Sequence, residues 1–202
     1  MNNFKLLENP EVIKWCYEGI TDLTLKNTSN SERLREYKEI EQSWGNSVIG
    51  GLGGSQWTTM LCQDLVKEAL IKLGRKNVRV ATPIKSSLGN KKYQPDLECD
   101  DYVYEVKGSN WCVPGTAGEK ILGVPLKYGE VPRLLQKPLK IILVGYQEYE
   151  ARKGYAFGDL LDKNNQTPEL KESLEFFKDH NIEYVPFTDI LKEIGFKFKI
   201  DL

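Results

Sequence analysis

The chain has 202 residues, with 28 Lys and Arg against 29 Asp and Glu, 40% hydrophobic and 10% aromatic side chains. That length suits one well-filled core, and the ordinary apolar content argues against a disordered chain. No apolar run approaches the roughly 20 residues that span a bilayer, and the single histidine, His180, excludes HExxH zinc sites and argues against a Ser/His/Asp triad.

The first residues, MNNFKLLENPEVIKW, contain no apolar h-region and are not expected to be a signal peptide. Residues 9–24 and 30–43 have helical spacing, the second heavily charged (SERLREYKEIEQSW). GNSVIGGLGGS at 45–55 reads as a flexible loop. It lacks the lysine of a GxxxxGK[ST] phosphate loop and does not complete GxGxxG after a strand. Ser55 is a candidate N-cap for a helix running to Leu73, with Gly74 as its stop. Cys62, Val66, Ala69, Leu70 and Leu73 share its apolar face, and Gln63 stands at the margin of that face.

Past Gly74 the alternation becomes strand-like at 77–82, 92–97 and 102–107, with ECDD at 98–101 able to close a hairpin. Residues 116–135 look helical but are interrupted by Pro125 and Pro132. Residues 139–145 (LKIILVG) have the continuous apolar character of a strand covered on both faces. The segment 146–159 reads as a surface loop. A helix at 168–179, a strand at 182–186 and a helix at 187–194 complete the chain. The expected fold is of the α/β class, a central mixed sheet flanked by helices, in a single domain over 1–202. Within it, about 1–45 form a helical N-terminal part, 50–150 the core and 151–202 a C-terminal α/β part. The four cysteines, Cys16, Cys62, Cys99 and Cys112, are far apart with no CxxC pair, and so are expected to be reduced thiols in a cytoplasmic protein.

The near-zero net charge hides an asymmetry. Residues 65–140 hold 14 bases and 8 acids, a net +6, and the remainder sums to −7. A polyanion responds to the local field, so this basic stretch, including Lys91 and Lys92, permits a nucleic-acid footprint, although a solvated basic surface is an equal alternative.

The chemistry concentrates at Pro95-Asp96 and Glu105-Val106-Lys107. Two residues apart on a strand, Glu105 and Lys107 share one face, and Val106 points the other way, into the core. The hairpin brings Asp96 within one or two residue pairs of Glu105. Two carboxylates that close repel unless neutralised, and a hard cation such as Mg²⁺ takes one or two of them as ligands. With Lys107 to offset charge and orient water, these are the parts for metal-assisted phosphodiester hydrolysis. Alone, ExK on a strand is also what a cross-strand ion pair looks like.

The stretch YQPDLECDDYVYEVKGSNWCVPGTAGEKILGVPLKYGEVP, with GGSQWTTMLCQDLVKEALIKLG before it, resembles the PD-(D/E)xK nucleases, and among them a group of type II restriction endonucleases. Pro95, Asp96, Glu98, Asp100, Tyr102, Glu105, Val106, Lys107, Asn110, Trp111 and Gly115 through Gly123 carry it, within roughly residues 50–150. The resemblance implies a restriction-endonuclease-like core. It further implies Asp96, Glu105 and the Val106 carbonyl as Mg²⁺ ligands and Lys107 as the catalytic lysine. Where members of the family carry a helix-borne acid, this chain has Gln63, with Asp64 or Glu68 as possible substitutes, so a second metal site is open. Gly115, Thr116 and Lys120, in a loop-to-helix stretch able to offer N–H groups to phosphate, are candidate DNA contacts, along with Asn110 and Trp111. Trp111 is equally readable as core.

These features lead to a Mg²⁺-dependent, sequence-specific endonuclease that cuts double-stranded DNA to leave 5′-phosphate ends. It is expected to act as a homodimer, since a palindromic site calls for two-fold symmetry. The alternatives are a structure-specific nuclease for junctions or repair, and a DNA-binding module with a degenerate site. Discrete plasmid fragments, cutting of branched substrates only, and salt-dependent binding without cleavage separate the three.

Overall fold

The computed structural model describes residues 4–19, 31–112, 121–153 and 158–197. The first helix, α1 (Pro10–Glu18), starts where the Asn9 side chain accepts from the Glu11 and Val12 N–H groups. It ends at Gly19, whose φ of 81° turns the chain, well short of the expected residue 24. Helix α2 (Ser31–Val48) runs past the expected end at 43 into the glycine-dense stretch. Gly45 is helical because the Trp57 ring lies against it: a Cβ there would fall 2.0 Å from a Trp57 ring carbon. Trp15, Trp44 and Trp57 form a cluster with ring centroids 5.7–6.2 Å apart.

Helix α3 (Trp57–Lys72) follows a 3₁₀ turn at Gly54–Gln56. Ser55 is not its cap; Gln56 holds that position without a side-chain bond, the 3₁₀ turn having displaced the helix start. The far end is as expected. Gly74 N donates to Ile71 O and Arg75 N to Leu70 O, both at 3.0 Å, with Gly74 at φ 88°.

The strands are β1 (Arg79–Val80), β2 (Ile84–Lys85), β3 (Lys92–Tyr93), β4 (Leu97–Glu98), β5 (Val103–Ser109), β6 (Leu139–Gly145) and β7 (Ile182–Pro186). The main sheet has the order β1-β4-β5-β6-β7, antiparallel on the β1-β4-β5 side and parallel from β5 to β7. β2 and β3 make a separate two-stranded ribbon. The expected continuous strand at 92–97 is therefore two strands in two sheets. Pro95 separates them, since it has no N–H to give to a ladder.

Helices α4 (Val124–Lys127) and α5 (Val131–Leu135) replace the longer helix expected over 116–135, each with a proline in its first turn. Residues 146–153 are not loop but helix α6 (Tyr146–Lys153), stabilised by an Arg152–Glu148 ion pair at 3.0 Å, one helical turn apart. Helices α7 (Pro168–Asp179) and α8 (Phe187–Glu193) lie as expected.

The result is a five-stranded mixed sheet flanked by helices. Tyr104, Val106, Ile142 and Val144 face α1, α3 and α8, while Val103, Leu139, Ile141 and Leu143 face α4 and α5. β5 is thus covered on both faces, and Val103 through Val106 are all buried. Among the described residues no helix is long and apolar enough to cross a membrane.

Candidate active site

The site grows from the end of the β4–β5 hairpin. Cys99 N donates to Tyr102 O at 2.9 Å to close the turn, and Leu97 pairs with Tyr104. One step further, the same register sets Asp96 against Glu105. There the Asp96 N–H still donates to Tyr104 O at 3.0 Å, and its side chain extends the pairing by one residue: its Oδ2 accepts the Val106 N–H at 2.7 Å. On a strand the C=O of a residue points to the same side as its N–H, so the Val106 carbonyl also faces this edge.

The other Asp96 oxygen, Oδ1, accepts from Gln63 Nε2 at 2.6 Å. Gln63 can reach it because α3 lies unusually close to β5. At Gly108 a Cβ would sit 2.1 Å from Cys62 Sγ, so only glycine permits the approach. Of the three candidates on this helix, Gln63 is the one that meets Asp96. Glu68 accepts the Leu6 and Leu7 N–H groups at 3.0 Å each, and Asp64 is exposed.

Glu105 is 2% exposed. Its Oε1 accepts from Lys107 Nζ at 2.5 Å, and its Oε2 is buried with no hydrogen-bond partner. Burial, and then the charge of Asp96, push the Glu105 carboxyl above its ordinary range, against the pull of Lys107. Burial also raises Asp96, against the Val106 N–H, Lys107 and Gln63. Tyr128 closes the floor: it is buried, its hydroxyl donates to Gln94 O at 3.1 Å, and burial followed by the Glu105 charge push its pKa upward. Neither Tyr128 nor its neighbour Lys127 stands out in the sequence. The only available signal was the KY pair closing the stretch that resembles the nucleases.

A buried carboxylate oxygen beside a second carboxylate favours a cation or a proton to balance the charge. Among the described residues no group of three His, Cys, Asp or Glu side chains converges. The donor set is therefore two carboxylates and a backbone carbonyl. That set fits a hard ion such as Mg²⁺, which uses one or two carboxylates and fills its remaining positions with water or phosphate oxygens.

The other predicted contacts divide. Trp111 is core, not surface: it is 6% exposed, its Nε1 donates to Trp15 O at 2.7 Å, and its ring packs on Tyr146 and Tyr149. Asn110 is half-buried at the exit of β5. Lys91 and Lys92 are exposed on the β2–β3 ribbon. Gly115, Thr116 and Lys120 lie outside the described residues. The basic run is also less uniform than its sequence. Arg79 pairs with Glu98 at 2.8 Å, Arg75 lies over the Tyr102 ring and Lys72 over the Phe196 ring.

Of the buried acids with no signal in the sequence, Glu41 lies nearest the exit of β5. Glu41 is fully buried in α2 and accepts from Trp15 Nε1 (2.7 Å), Trp111 N (2.9 Å) and Cys112 N (3.2 Å). It thereby fixes the backbone as it leaves β5.

No protein-family model, curated protein or solved structure matches the chain.

Proposed function

We propose that the chain is a PD-(D/E)xK nuclease of the type II restriction kind, a Mg²⁺-dependent and sequence-specific endonuclease for double-stranded DNA acting as a cytoplasmic homodimer. The observation that carries the reading is the buried Glu105 carboxylate, whose Oε2 accepts no well-formed hydrogen bond, set beside Asp96 and Lys107. An ordinary ion pair of a strand surface would leave neither oxygen buried and unpartnered.

In this reading Asp96, Glu105 and the Val106 carbonyl would hold the cation, which when bound would supply Lewis-acid stabilisation to a phosphate. Val106 N–H and Gln63 hold Asp96 from two sides, so its carboxylate keeps its orientation with lone pairs to spare. Lys107, one-third exposed at its side chain, reaches solvent while Glu105 does not. Its ammonium offsets the carboxylates and has protons left to orient a water molecule or a phosphate oxygen for in-line displacement. That displacement breaks the P–O3′ bond and leaves the phosphate on the 5′ end.

The test is digestion of plasmid DNA in Mg²⁺ and in EDTA, with wild type and Lys107→Ala. Wild type should give discrete fragments with 5′-phosphates in Mg²⁺ only, and Lys107→Ala should bind DNA but not cut it. A fully active Lys107→Ala sinks the assignment, and cutting of branched substrates alone replaces restriction with junction or repair cleavage. Without DNA, Mg²⁺ should raise the melting temperature of wild type but not of Asp96→Ala.

A further inference from the structure

The β2–β3 ribbon presents a feature that neither packing nor the catalytic chemistry uses. Its two strands are two residues each, and a ribbon this short is not stable alone. It is nonetheless held firmly. The Glu130 carboxylate accepts from Ser86 Oγ and Tyr93 Oη at 2.6 Å each, from Ser87 N at 3.1 Å and from Ser87 Oγ, and it pairs with Arg133 at 3.2 Å. These donors pull its pKa down to about 2, led by Ser86 and then Ser87.

What is held so firmly is a tip with nothing to pack on. Ser87, Leu88, Gly89, Asn90, Lys91 and Lys92 are all exposed, Leu88 at 86%. Gly89, at φ 101°, makes the turn. No hydrogen bond to the Asn90 side chain is found among the described residues. Residues 82–94 contain Lys85, Lys91 and Lys92 and no acid.

The ribbon is coupled to the site at its base. The Tyr93 ring lies 6.0 Å from that of Tyr128, which floors Glu105, and three residues beyond Tyr93 the chain delivers Asp96.

Resting on the nuclease reading, we infer that the 86–92 tip is the element that reads bases, entering the major groove of the duplex and contacting an A·T pair through Asn90 and Leu88. A two-stranded ribbon fits that groove, an asparagine amide matches the N6/N7 edge of adenine, and an apolar side chain suits the thymine methyl. Lys85, Lys91 and Lys92 would meet the flanking phosphates, setting register without reading sequence. Among the described residues no ion pair engages Lys85, Lys91 or Lys92, all exposed, and the phosphates of a duplex would neutralise all three.

The experiment selects bound sequences from a random duplex pool in Ca²⁺, and separately sequences the ends of plasmid DNA cut in Mg²⁺. Both are run on wild type, Leu88→Ala and Asn90→Ala, with melting curves to establish folding. Each variant should lose roughly ten-fold or more of the discrimination at one A·T position while keeping the rest of the preferred sequence. The inference is overturned if wild type selects a sequence and both variants select it equally well, or if affinity falls alike for every sequence. In either case the nuclease reading stands. If wild type selects and binds but never cuts, the nuclease reading fails and the variants still decide the role of the tip. If wild type selects no sequence, the base-reading role is overturned outright, whether or not it cuts.

Discussion

Glu105 shows how a buried side chain can work against the fold that holds it. A carboxyl whose pKa is raised in the folded state binds its proton more tightly there than in the unfolded chain. Its favourable contribution is therefore complete below the ordinary carboxylate pKa and is lost as pH rises through the raised folded value. Asp96 behaves alike. In EDTA, wild type should therefore melt at a higher temperature as the pH falls from neutral toward the ordinary carboxylate range. Glu105→Gln should melt above wild type at pH 7 and flatten that slope, and under the proposed function it should not cut DNA. Each ~1 kcal/mol would appear as about 2–4 °C in a chain of this size. Glu105→Gln melting below wild type with an unchanged pH slope would refute this. Asp96, Glu105 and Lys107 were legible in the sequence because one short hairpin gathers them. Glu41 was not: its two backbone partners lie 70 and 71 residues away, and a lone acid in a charged helix looks solvated.

Among the elements, the contact between α3 and β5 decides the geometry. Gly108→Ala would drive a Cβ to within 2.1 Å of Cys62 Sγ and push the helix that carries Gln63 away from Asp96. Such overpacking should cost about 1–3 kcal/mol in denaturant unfolding, and Cys62→Ala in the same chain should recover part of it by opening space. Additive effects of the two changes would show that the contact is not the cause. Most elements could be read from periodicity. β6 emerged as an apolar run covered on both faces, and α7 matched its expected limits because Thr167 caps it, accepting from Leu170 N, and Pro168 starts it. The failures have local physical reasons. α2 continued through Gly45 because a distant tryptophan fills the gap, and α6 was hidden by a segment whose tyrosines and charges mimic a loop.

Across the whole molecule, a net charge of −1 is compatible with the proposed duplex partner because the two signs are segregated along the chain. Folding spends part of the basic run on Glu98 and on aromatic rings, so the bare count of bases overstates the footprint. Lys85, Lys91 and Lys92 of the ribbon are exposed, and so is Lys76 before it. DNA affinity should accordingly fall with salt, and Lys91→Ala combined with Lys92→Ala should reduce the slope of log K against log salt by about two. A slope unchanged by that pair would place the phosphate contacts elsewhere. The chain order alone could place the hairpin but not the ribbon, which depends on Glu130, more than 35 residues downstream of every group it holds in the ribbon.

The Cys62 thiol, wedged between α3 and the Gly108 backbone, is also a built-in reporter. Burial pushes its pKa far upward, so it has almost no thiolate to offer an alkylating reagent while the helix is seated. Its rate of modification then measures how often α3 lifts from β5. Because the same movement would pull Gln63 from Asp96, labelling kinetics at one sulfur would report, without substrate or metal, the fraction of time Gln63 braces the Asp96 carboxylate.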